Sequence, residues 1–109
     1  MNKIFALILS MLLAGCGTTS HLKILRSSGA FREEPSTEIG YDFKMFIKNT
    51  TDIGWNGDNR EDREKVVNFV FENRCKKSEI LEDLPLQTGT YALNRPAITW
   101  IMKIKCIKD

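Results

Sequence analysis

The clearest pattern along the chain is an alternation of period two. Tyr41, Phe43, Met45 and Ile47 are apolar, while Asp42, Lys44 and Lys48 are charged. That spacing predicts a strand with one buried face. Phe46 breaks its polar side, and Asn49-Thr50-Thr51-Asp52 closes it with turn-forming residues. The next segment changes period. Val66, Val67, Val70, Phe71 and Cys75 recur at three- and four-residue spacing, which predicts a helix over 59–75 with one apolar face. Asp58 or Asn59 can cap it. Glu61, Asp62 and Glu64 put negative charge in its first turns, where the helix dipole favours it, and Arg74, Lys76 and Lys77 follow at its other end.

A second alternation ends the chain, with Ile98, Trp100, Met102, Ile104 and Cys106 on one face and Thr99, Lys103 and Lys105 on the other. Before it, Ser78–Asp83 and Leu86–Ala92 read as two shorter strands parted by Pro85, with a bulge at Gly89 and a turn at Asn94-Arg95-Pro96. Leu22-Lys23-Ile24-Leu25 reads as a short strand, and Ser27-Ser28-Gly29 and 32–37 as loop. Residues 16–40 therefore make a tether and 41–109 a small single domain. The element order is β-α-β-β-β, an α+β fold with one helix packed on an antiparallel or mixed sheet.

At the other end of the chain, Ile4–Leu13 is a ten-residue apolar run behind Lys3. At about 1.5 Å per helical residue it covers about 15 Å, half a bilayer core, so it reads as a cleaved signal and not a membrane span. The residues that follow, Leu13-Ala14-Gly15-Cys16, resemble the lipobox of bacterial lipoprotein precursors. The resemblance implies removal of 1–15 by signal peptidase II and a diacylglycerol thioether on Cys16, with a fatty acid such as palmitate on its amino group. Two or more acyl chains give stable anchoring where one gives only marginal binding. Gly17, in place of the aspartate that retains such proteins in the inner membrane, implies an outer-membrane address facing the periplasm. The alternative is an ordinary secretory signal cut at the same place, leaving Cys16 unmodified.

Loss of the first fifteen of 109 residues leaves 94, enough for one domain. The formal charge of +2 falls to +1 with Lys3, and both signs are mixed along the chain. No basic stripe of the kind nucleic-acid binding needs is formed. Lys76, Lys77, Lys103, Lys105 and Lys108 read as solvated or edge-protecting charges. In an oxidising compartment Cys75 and Cys106 predict a disulfide. Cys106 lies on the inward face of its strand and Cys75 ends the helix stripe, so a helix packed on a sheet brings them together. Closing a loop of about thirty residues contributes roughly 3.5 kcal/mol in the chain-entropy model. A metal site needs more ligands than two thiols, and His21, the one histidine, falls in the tether. The sequence calls for no metal and no other cofactor.

No arrangement of catalytic groups stands out. The carboxylates of Glu61, Asp62 and Glu64 have a sufficient role at the helix start. The segment Asp52–Asp58 has a faint calcium-loop look, but Gly54 and Arg63 occupy the third and twelfth positions, where oxygen ligands belong. Trp55 in that loop has two readings: a lid over the core, or an exposed anchor for a protein partner. The expectation is a membrane-tethered, non-enzymatic interaction module, such as an accessory subunit binding an unknown envelope protein. A small periplasmic inhibitor or exclusion factor is the alternative, and a lipid-tethered enzyme comes last.

Overall fold

The computed structural model describes residues 20–108. The lipobox and Cys16 lie outside these described residues. Within them the chain forms a helix over 20–27 (α1), strands β1 (Phe31–Pro35) and β2 (Phe43–Lys48), a two-stranded hairpin of β3 (Thr51–Asp52) and β4 (Trp55–Asn56), a helix α2 (Arg60–Phe71), and two long strands, β5 (Lys77–Thr90) and β6 (Pro96–Ile107). The main sheet has four antiparallel strands in the order β1-β2-β6-β5. The fold is a small single domain of the α+β class, with a disulfide joining Cys75 to Cys106.

The alternation in β2 and β6 places their apolar positions as expected. Met45 and Ile47 from β2 and Met102 and Ile104 from β6 are fully buried. They face the α2 stripe of Val66, Val67 and Phe71, and Phe43 stacks on Phe71 with ring centroids 4.8 Å apart. Asn59 caps α2, its side chain accepting from the Glu61 N–H at 2.9 Å. The helix stops at Phe71, four residues earlier than its periodicity suggests. Cys75 lies just beyond, held by its N–H to the Phe71 carbonyl.

Three features depart from the sequence reading. Ordered structure begins well before Tyr41, because Leu22 and Leu25 lie three residues apart on the inner face of α1 and Phe31 enters the core from β1. Arg32, Glu33 and Glu34 disguise β1 as a loop, yet charges suit an edge strand, where they discourage pairing with other chains. The two strands expected on either side of Pro85 are one continuous β5. It lies at the other sheet edge, where proline is tolerated. Its register shifts between Ile80 and Glu82 and between Gln87 and Gly89, the second of these beside the anticipated bulge. The loop 50–58 contains the β3–β4 hairpin.

Candidate functional site

A buried polar arrangement lies where α2 begins. Arg63 falls at the helical spacing of Val66, Val67 and Val70, so its side chain points into the protein with the valines and is 4% exposed. Its Nη2 donates to Asp83 Oδ2 at 2.7 Å and its Nη1 to the Gly57 carbonyl at 3.0 Å. The guanidinium lies 3.8 Å over the Trp100 ring. Arg60 Nη1 reaches the same Asp83 oxygen at 3.0 Å from the exposed side. Arg63 Nε and Asp83 Oδ1 are buried without a hydrogen-bond partner among the described residues.

Asp58 and Asn49 extend this network to the end of the sheet. Trp100 Nε1 donates to Asp58 Oδ1 at 2.9 Å, and Asn49 Nδ2 approaches Asp58 Oδ2 at 3.3 Å and the Pro96 carbonyl at 3.1 Å. Asn49 Oδ1 accepts from the Ile98 N–H at 2.8 Å, so a buried amide clamps the end of β2 to the start of β6. Gly57 crosses directly over that clamp. A Cβ there would lie 2.1 Å from the Lys48 carbonyl oxygen, so only glycine fits. Arg63 was legible in principle, since it sits on the apolar stripe. Asn49 and Asp83 carry no local signal, because their partners are distant in sequence.

The residues singled out from the sequence fall in separate places. Trp55 is 5% exposed and belongs to the core, its Nε1 directed at Thr50 Oγ1 at 3.4 Å. It is the lid over the core; a partner-docking Trp55 does not survive this burial. Trp100 is only partly buried, because it roofs Arg63 at the margin of the core. Cys75 and Cys106 have Cα atoms 5.3 Å apart and join the end of α2 to β6. Beside them Asn68, Phe71, Glu72 and Ser78 line a shallow groove of about 390 Å³. Among the described residues no three His, Cys, Asp or Glu side chains gather as metal ligands. On the open face of the sheet Lys103 Nζ bonds Glu82 Oε2 at 2.9 Å, and this hydrogen bond holds the lysine pKa above its ordinary value.

Two hairpin tips and the start of α1 share one end of the molecule. The β3–β4 tip carries Ile53, which is 92% exposed, followed by Gly54 with φ +73. The β5–β6 tip carries Leu93, which is fully exposed and has φ +63, with Asn94 also left-handed. Arg95 ties the tips together, donating from Nη2 to the Asn49 carbonyl at 2.7 Å and from Nη1 to Thr51 Oγ1 at 3.4 Å. From α1, His21 Nε2 lies 3.6 Å from Asp52 Oδ2, next to Ile53. Compared with known proteins, the chain matches no family model, no curated protein and no solved structure.

Proposed function

We propose that this chain is a lipoprotein of the bacterial envelope, anchored through Cys16 and probing the periplasm with a non-enzymatic interaction module, an accessory subunit of an envelope complex. The observation that carries the reading is Leu13-Ala14-Gly15-Cys16 directly behind the ten-residue apolar run. The Cys75–Cys106 disulfide supports it, since such bridges persist in exported and not in cytosolic proteins. Gly17 supports an outer-membrane address. The non-enzymatic part is supported by polar groups that are tied to the fold, Asp58 to Trp100 and Asn49 to Pro96 and Ile98.

Metabolic labelling with radioactive palmitate tests the anchor. Wild type incorporates label and is cut before Cys16, while Cys16→Ala accumulates as unlabelled precursor. An unlabelled wild type with an unmodified cysteine at its mature N-terminus overturns the anchor. Crosslinking in intact envelopes followed by affinity capture tests the module. A stoichiometric envelope protein is expected, and recovery of the chain alone counts against the accessory-subunit role.

A further inference from the structure

We infer that the end of the domain formed by the Ile53 and Leu93 hairpin tips rests on the lipid surface, so that the domain is held in a fixed orientation and does not swing on a tether. The inference builds on the lipoprotein reading of Cys16. Three residues separate Cys16 from Ser20, and a fully extended chain spans at most about 3.6 Å per residue step, so the Cys16 Cα can lie no further than about 14 Å from that of Ser20. Ser20 and His21 begin α1, and His21 contacts Asp52. The acyl chains are thereby confined to the end of the molecule that carries both tips.

That end offers what a membrane surface accepts. Ile53 and Leu93 are bulky aliphatic residues with their side chains in solvent, each at the apex of a tight turn. Leucine is a costly choice at φ +63, where a side chain meets its own backbone and asparagine or glycine is the usual occupant. An exposed, strained leucine gains nothing in the isolated domain, whereas insertion beside the acyl chains removes it from water. Lys48 is exposed at the same end with a positive charge complementary to anionic headgroups, while Arg95 there is ion-paired with Asp58 at 4.0 Å and Asp52 faces His21. Ile39 supplies the contrast. It is equally exposed but lies in the β1–β2 loop, at the opposite end of β2, about 17 Å away for a six-residue strand.

The test uses the full lipidated chain. With Cys16 acylated and Cys75 bridged to Cys106, a cysteine introduced by Ile53→Cys, Leu93→Cys or Ile39→Cys is the one free thiol. Each variant is labelled with an environment-sensitive dye and reconstituted in vesicles of phosphatidylethanolamine and phosphatidylglycerol, with intact mass reporting the lipid and the disulfide. The expected result is blue-shifted emission and several-fold weaker quenching by an aqueous quencher at positions 53 and 93, with position 39 remaining fully accessible. Vesicle-bound protein in which all three positions quench alike overturns the inference and leaves the anchor standing. A mass without lipid and no vesicle binding overturns both. Protection at 53 and 93 in envelope fragments but not in pure vesicles assigns this end to a protein partner and also overturns it.

Discussion

Removing the positive half of the buried pair, by Arg63→Met, is the most incisive perturbation of this fold. Methionine reproduces the apolar stem of arginine but ends where the guanidinium begins, so the change removes the charge, its hydrogen bonds and the contact with the Trp100 ring. Asp83, 5% exposed, then keeps only Arg60, which approaches from a half-exposed position, and the Gly57 carbonyl loses its donor. Breaking a buried pair by deleting one partner costs about 3–5 kcal/mol. Because Arg60 remains, the lower end, about 3 kcal/mol, is the expected loss, a large part of the roughly 5–15 kcal/mol that holds a domain together. The wild-type pair already leaves Arg63 Nε and Asp83 Oδ1 unpaired, so it repays its desolvation poorly. Adding Asp83→Leu should therefore return most of the loss and bring the double variant to within about 1–2 kcal/mol of wild type. Urea unfolding of the two single variants and the double, at unchanged m, reads these values directly. A single-variant loss below about 1 kcal/mol, or strict additivity of the two changes, refutes the reasoning.

Three further outcomes follow from the packing. Cys75→Ser should lower stability by about 2–5 kcal/mol and free Cys106 for alkylation, whereas wild type reacts only after reduction. Trp55→Ala should cost about 3–5 kcal/mol in a melting experiment, because a buried ring is removed from the core; a near-unchanged melting temperature would contradict its role as lid. Gly57→Ala should destabilise by about 1–3 kcal/mol or more, since the new methyl group meets the Lys48 carbonyl oxygen, which is backbone and cannot swing aside; chemical denaturation measures this.

Regular periodicity made β2, α2 and β6 legible from sequence, and with them the disulfide. Each of these elements buries one face against a common core, so composition and spacing carry the signal. The edges of the sheet were not legible for a reason rooted in their exposure. Arg32, Glu33 and Glu34 keep β1 from pairing with other chains by being charged, which also removes the alternation that marks a strand. In β5 the solvent-facing edge tolerates Pro85 and two register shifts, and both read locally as strand ends. α1 contributes only Leu22 and Leu25 to the core, too few for a helical period to emerge. In the polar network, Arg63 finds Asp83 across twenty residues and Asn49 finds Pro96 across forty-seven, distances at which neighbouring residues carry no information.

The placement of β6 sets the order in which this fold can be completed. It lies between β2 and β5, so both long seams of the sheet need it, yet it is the last of the strands along the chain. A chain that becomes available from its N-terminus presents α1, β1, β2, the β3–β4 hairpin, α2 and β5 before β6 arrives. At that stage β1 and β2 can pair, but β5 has no neighbour, Asn49 lacks Pro96 and Ile98, and Cys75 lacks Cys106. Completion of the sheet, and the meeting of the two sulfurs, therefore wait for β6. Until that moment Cys75 is open to mispairing and β5 to capture by other strands. The interval before β6 emerges is the one in which the β5 edge and the Cys75 thiol lack their partners.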